Sequence, residues 1–253
     1  MDIHNKKIKS VVFFSNKRLN NKSESISNLI DHFNDKKILV VDFNPQCETT
    51  GYLLHEEDYS NENDITVLDI MKDDLEINSS VVKKSSINVD VILGSLLLEE
   101  YLYIKNIEFN QSFHSAVYGR SDDLFNGYLK LFYFLEKINE LTHYDIIIFD
   151  TNEIGNALNS ILIHYCDLHV YPLYDESYLS ISFLQQFERS YDRWQYLNRR
   201  IDTGGENKVL KGIPNTVVLI ENPDVKLTDP ELIKNIKIVN NDTLLDLINN
   251  NII

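Results

Sequence analysis

Glycine and proline are scarce in this chain, with 8 and 5 residues in 253. Long flexible or stiff linkers need one or the other, so residues 1–253 are expected to form a single domain. Basic residues are also few, 24 against 39 acidic, leaving a formal charge of −15. That balance excludes a surface built wholly for nucleic acid but leaves room for a local basic patch. Cys47 and Cys166 are too few for a disulfide framework or a zinc site and read as plain thiols in a reducing, cytosolic setting. No apolar run is long enough to span a membrane, and residues 1–10 lack the apolar core of a signal peptide. Serine and histidine occur without a G-x-S-x-G elbow, so a hydrolase triad is unsupported.

What is present is an alternation of apolar strands and amphipathic helices, with 43% hydrophobic residues to build a core. Strands are predicted over 9–15, 38–42, 89–94, 144–150, 167–173 and 215–220. Helices are predicted over 22–33, around 67–71, and over 127–141, 156–165 and 177–197, with two short ones near the end. Residues 104–126 mix polar and aromatic side chains and read as an insertion or loop. The spacing implies an α/β fold, a doubly wound, mostly parallel sheet flanked by helices, whose ligands bind at the carboxyl ends of the strands. Those ends carry Ser15, Asp42 and Asp150.

The first strand runs into the polar loop Ser15-Asn16-Lys17-Arg18-Leu19-Asn20-Asn21-Lys22-Ser23, and a helix begins at once. Lys22 and Ser23 therefore stand where a helix offers backbone N–H groups and a positive dipole end to phosphate. The ammonium can reach outer phosphates, and the hydroxyl can join the shell of a Mg²⁺ ion faced by Asp42 and Asp150. A strand-end aspartate alone is more often a turn or cap residue. Four such elements in order are more specific.

On these residues the chain resembles the ParA/MinD/Soj group of deviant-Walker P-loop ATPases, which position plasmids, chromosomes and division proteins. Lys17-Arg18-Leu19-Asn20-Asn21-Lys22-Ser23-Glu24 stands in place of the family's K-G-G-V-G-K-T-T, with Lys17 at the signature lysine that crosses the dimer interface. Asp42-Phe43-Asn44-Pro45-Gln46-Cys47-Glu48-Thr49-Thr50 matches D-x-D-P-Q-G-N-x-T. Val89 to Ser95, Tyr144 to Asp150 and Cys166 to Pro172 resemble the family's next three strands. The likeness spans about 9–185 and, more faintly, 212–220. It implies a nucleotide site formed by Lys17, Asn20, Asn21, Lys22, Ser23 and Glu24, with Ser23, Asp42 and Asp150 on the metal side.

Three departures bear on activity. The loop has no glycine; Arg18 and Leu19 enter positive φ at a cost, whereas Asn20 and Asn21 do so more readily. Asn44 replaces the acid that in the family orients the attacking water, and an amide cannot accept a proton there. Asp150-Thr151-Asn152-Glu153 replaces the D-x-P-P that follows the Walker B strand. Hydrolysis is therefore expected to be weak or lost. The cofactors are ATP and Mg²⁺ if the loop is competent, and none if it is not.

His164, Asp167 and His169 straddle a predicted helix–strand junction, so their side chains should diverge rather than ligate a metal. Asp175 and Glu176 read as loop residues near a base pocket. Arg189, Arg193, Arg199, Arg200, Lys208 and Lys211, interleaved with Tyr191, Trp194 and Tyr196, are the DNA-contact candidates that the resemblance suggests; Glu188 and Asp192 beside them also fit an ordinary solvated face. The closing helix looks shortened after Leu244-Leu245-Asp246-Leu247-Ile248, and nothing there resembles a membrane-gripping amphipathic tail. Two readings stay open ahead of a third, an intact ATP-dependent enzyme. One is a cytoplasmic, nucleoid-associated partition protein, a homodimer working with a ParB-like adaptor and non-specific DNA. The other is a pseudo-ATPase scaffold that binds a protein partner through the ancestral dimer surface without nucleotide.

Overall fold

The structure, a computed structural model, describes residues 8–15, 22–59, 63–73, 76, 78, 80–104, 134–138, 140–141, 143–153, 157–173, 215–220 and 237–250. Among these, eight strands form one sheet: β1 (Ser10–Ser15), β2 (Ile38–Phe43), β3 (Lys83–Lys84), β4 (Val89–Ile92), β5 (Ile146–Glu153), β6 (Leu168–Leu173), β7 (Asn215–Ile220) and β8 (Lys237–Val239). Their order is β3-β4-β2-β5-β1-β6-β7-β8. Every pairing is parallel except β3 with β4. The helices are α1 (Lys22–His32), α2 (Glu48–Leu53), α3 (Glu56–Tyr59), α4 (Val67–Asp73), α5 (98–104), α6 (134–138), α7 (Ala157–Tyr165) and α8 (Asn241–Asn249).

The central strands are buried on both faces, which is why they read as unbroken apolar runs. Val12, Phe14, Leu39, Val41, Phe43, Ile147 and Phe149 face one layer, where α4, α5, α6 and α7 place Leu68, Leu98, Leu135 and Leu162. Val11, Phe13, Ile38, Val40, Ile146 and Ile148 face the other, packed with Ile26, Leu29 and Ile30 of α1 and Leu244, Leu247 and Ile248 of α8. The period-2 alternation of each strand thus serves two separate cores.

Acids fasten the amino ends of the strands. Asp167 Oδ2 accepts from the backbone N–H groups of Lys9 and Ser10, both at 3.1 Å, and from the Ser10 hydroxyl at 2.9 Å. Asp145 Oδ2 accepts from the Lys37 N–H at 2.7 Å. Asp90 Oδ2 accepts from Tyr144 Oη at 2.8 Å and lies 3.4 Å from Lys37 Nζ.

Several sequence expectations need correction. The strand expected over 89–94 stops at Ile92, because the Gly94 N–H leaves the ladder to donate to Thr50 Oγ1 at 3.0 Å. β5 does not end on Asp150; it continues through Glu153, which pairs with Ser15 past an irregularity in register. Asn152 and Glu153 stand where the family has prolines, so the backbone keeps its N–H donors and the strand is not interrupted. The edge strands β3 and β8 were not anticipated, and of the two short terminal helices expected, the described residues contain α8 with β8 ahead of it. α8 is capped by Asn240, whose Oδ1 accepts from the Thr243 N–H at 2.8 Å. Residues 105–133 and 177–197, and with them most of the expected insertion and the helix bearing the arginines, lie outside the described residues.

The chain leaves β1 for β2 on one side of the sheet, crossing β5, and leaves β5 for β6 on the other side, crossing β1. The carboxyl ends of β1 and β5 therefore border a topological switch point, where open α/β sheets form their ligand crevice.

Candidate functional site

β2 and β5 run in register so that Asp42 lies opposite Asp150, both without solvent exposure. Two carboxylates side by side in a low-dielectric setting cannot both ionise without compensation. Burial first, and the neighbouring Asp150 second, raise the Asp42 pKa from 3.8 to about 7, against the lowering effect of hydrogen bonds from Thr50 and Asn44. Lys22 is the compensating charge. It opens α1 yet is only 2% exposed, because its side chain turns inward to the strand ends. Its ammonium pairs with Asp150 Oδ1 and donates to the Thr151 carbonyl.

The segment after β2 organises both acids. Asp42 Oδ1 accepts from the Asn44 N–H at 2.9 Å, and Oδ2 accepts from the Thr50 N–H at 2.9 Å and the Thr50 hydroxyl at 2.6 Å. The Thr49 hydroxyl donates to Asp150 Oδ2 at 2.6 Å and lies 3.1 Å from Ser23 Oγ, so one side chain bridges the first turn of α1 and β5. Thr151 Oγ1 donates to the Phe13 carbonyl at 3.1 Å, tying β5 to β1 beside the site.

Asn44 is buried and directed into its own turn. Its Oδ1 accepts from the Gln46 N–H at 3.2 Å and its carbonyl from the Cys47 N–H at 2.9 Å. Cys47, where the family has glycine, takes up the left-handed conformation that position demands, with φ 52°. Burial, with Asp42 and Asp150 nearby, pushes its thiol up to about 12, so it is not a nucleophile. Gly94 is required for space: a Cβ there would meet Cys47 Sγ at 2.8 Å and the Asp42 carboxylate at 3.0 Å.

Of the predicted site residues, Lys22, Ser23, Asp42, Asn44 and Asp150 come together at the strand ends, and Glu24 lies exposed in the first turn of α1, where an acid suits the helix dipole. Lys17, Asn20, Asn21 and the six basic DNA-contact candidates Arg189, Arg193, Arg199, Arg200, Lys208 and Lys211 lie outside the described residues, as do Asp175 and Glu176. Asp167 and His169 serve structure instead. Asp167 holds the start of β1, and His169 is buried edge-on against Phe14 with ring centroids 5.9 Å apart. Sequence reasoning missed the roles of Thr49, Thr50 and Gly94. The signals were a Thr-Thr pair two residues after the turn and a glycine kept in a glycine-poor chain.

The donor set suits a hard divalent cation: hydroxyls from Ser23 and Thr49 and carboxylates from Asp42 and Asp150. Among the described residues no group of three or more His, Cys, Asp or Glu converges. Mg²⁺ commonly takes one or two carboxylates and completes its shell with water and substrate phosphate. Such an ion would neutralise the paired carboxylates and the phosphate charge, and Lys22 would supply a further positive charge to phosphate.

These features place a buried lysine at a helix start and a pair of acids at the switch point of an α/β sheet. A family model described as an AAA domain matches residues 21–202, and the chain belongs to that family. Its fold is that of the ParA/MinD-like P-loop ATPases. A plasmid partition protein from Borrelia burgdorferi superposes with a TM-score of 0.65 at 18% identity, over 96% of each chain. A Cyanothece McdA–ATP complex gives 0.59 at 15% identity, over 95% of this chain and 88% of that one. Cobyrinic acid a,c-diamide synthase from Mycobacterium smegmatis, with bound ADP and magnesium, gives 0.59 at 14% identity, over 96% and 82%. No curated protein matches the sequence. Among the described residues no helix is long and apolar enough to cross a membrane.

Proposed function

We propose that this chain is a ParA-like plasmid or chromosome partition protein that binds ATP with Mg²⁺ and hydrolyses it slowly. The cluster of Lys22, Ser23, Thr49, Asp42 and Asp150 at the strand ends carries the reading, because it places a phosphate-binding lysine, a helix N-terminus and a pair of metal-side acids together. Lys17, Asn20, Asn21 and Glu24 would complete the loop around the nucleotide. Slow turnover follows from Asn44, which has no proton-accepting oxygen to offer the attacking water and which hydrogen-bonds its own turn.

Partition requires a switchable hold on DNA. The bound form is a homodimer that grips non-specific DNA through Arg189, Arg193, Arg199, Arg200, Lys208 and Lys211 and is released by a ParB-like adaptor, in a cytoplasmic, nucleoid-associated setting. A plasmid partition protein and an ATP-bound McdA stand among the structures of the same fold, and the reading is consistent with them. The test is retention on duplex DNA with and without ATP–Mg²⁺, alongside phosphate release. Retention should require ATP and fall steeply from about 50 to about 200 mM salt. Phosphate release should be slow and should rise in Asn44→Asp. DNA retention indifferent to ATP, or release unchanged in Asn44→Asp, would contradict the proposal.

A further inference from the structure

Asp150 is held from both sides. Its Oδ2 accepts from the Thr49 hydroxyl at 2.6 Å, and its Oδ1 meets the Lys22 ammonium and, among the described residues, receives no hydrogen bond besides that ion pair. Neither partner of the pair reaches solvent to any useful extent. Yet the nucleotide-site reading, on which this inference rests, asks Lys22 to meet phosphate and Asp150 to face a cation. Lys22 cannot do the first while it sits on Asp150 and the Thr151 carbonyl. Asp150 cannot be left alone either, because an uncompensated buried carboxylate is strongly destabilising. While Asp150 stays ionised, some positive charge must stand beside it in every state of the site.

We propose that the Lys22–Asp150 pair is a latch that a divalent cation opens by exchange. Lys22 compensates Asp150 in the metal-free protein and is freed toward phosphate when a cation takes the carboxylate. Thr49 is the positioning residue: bonded to Asp150 and 3.1 Å from the Ser23 hydroxyl, it holds the two oxygens of the cation's seat at one place. Two charges replacing one also answer the surplus of negative charge from Asp42, which lies opposite Asp150 in the sheet. The consequence is an order of events in which cation binding promotes nucleotide binding rather than merely accompanying it.

The test uses Mn²⁺ as the probe, read by the free-ion paramagnetic resonance signal, with no nucleotide present. Lys22→Met should bind Mn²⁺ about tenfold more tightly than the unaltered chain, since the competing ammonium is gone. Adding Asp150→Asn should abolish that gain, and adding Thr49→Val should remove much of it. Equal affinity in Lys22→Met and the unaltered chain, or a gain that survives Asp150→Asn, overturns the latch. Should Lys22→Met fail to fold, amine labelling of the unaltered chain decides: the modification rate of Lys22 should rise when Mn²⁺ is added, and an unchanged rate overturns the proposal. ATP binding is scored separately. Exchange of Lys22 for Mn²⁺ without ATP binding would sink the nucleotide reading and uphold the latch, whereas ATP binding without exchange would sink the latch alone.

Discussion

The two ends of the sheet both carry buried acids, and they use them differently. At the amino end Asp145 and Asp167 each accept from backbone N–H groups, and Asp90 accepts from a tyrosine hydroxyl beside a lysine. These acids stand apart, and each fastens one junction. At the carboxyl end Asp42 and Asp150 lie opposite each other on neighbouring strands, and one ammonium, that of Lys22, pairs with Asp150. Fold stability needs only the first arrangement. The second keeps charge crowded where a sheet of this topology takes its ligands, and it marks the site.

The largest effect should come from removing the Lys22 ammonium. Lys22→Ala leaves Asp150 buried without its cation and should lower stability by about 3–5 kcal/mol in urea unfolding with a chelator present. Mg²⁺ should restore part of that loss. Asp42 provides the next contrast. Its folded pKa is raised to about 7 from 3.8, so between these values the folded state holds a proton that the unfolded chain has released. Stability from this group is therefore present at low pH and lost as pH rises through about 7, an effect of about 2–4 kcal/mol. The melting temperature of the unaltered chain, relative to Asp42→Asn and without metal, should climb as pH is lowered from about 8 to about 5. At the amino end Asp167→Ala deprives the Lys9 and Ser10 N–H groups of their acceptor and should cost about 2–3 kcal/mol while leaving any response to ATP unchanged. Gly94→Ala should cost about 1–3 kcal/mol, because the new methyl meets Cys47 and Asp42.

The central strands and α1 were legible in the sequence because burial on both faces writes an unbroken apolar run, as in Ile38-Leu39-Val40-Val41, and a helix facing one core writes Ile26, Leu29 and Ile30 at helical spacing. Lys83-Lys84 and Lys237–Val239 are too short to show a period, and they became strands only because a neighbouring strand offered an edge. The extension of β5 past Asp150 came from what the sequence omits, the prolines that would have interrupted the ladder. At the site, the identities of Lys22, Asp42 and Asp150 were readable from strand-end position. Their pairing was not, since register alone brings Asp42 beside Asp150, and side-chain direction alone turns Lys22 inward. Thr49 and Thr50 were passed over because adjacent threonines on a helix point to different groups, and only the fold shows that each has an acid to hold.

The most direct test of the central claim is the thermal shift of the chain on adding ATP at a fixed, saturating Mg²⁺ concentration, measured beside Lys22→Ala at the same Mg²⁺. Saturation at about 100 times the dissociation constant should stabilise the chain by about 2.7 kcal/mol, roughly 2–4 °C for a domain of this size. The account predicts that shift in the unaltered chain and its loss in Lys22→Ala. No shift at millimolar ATP, or an equal shift in both proteins, would contradict it.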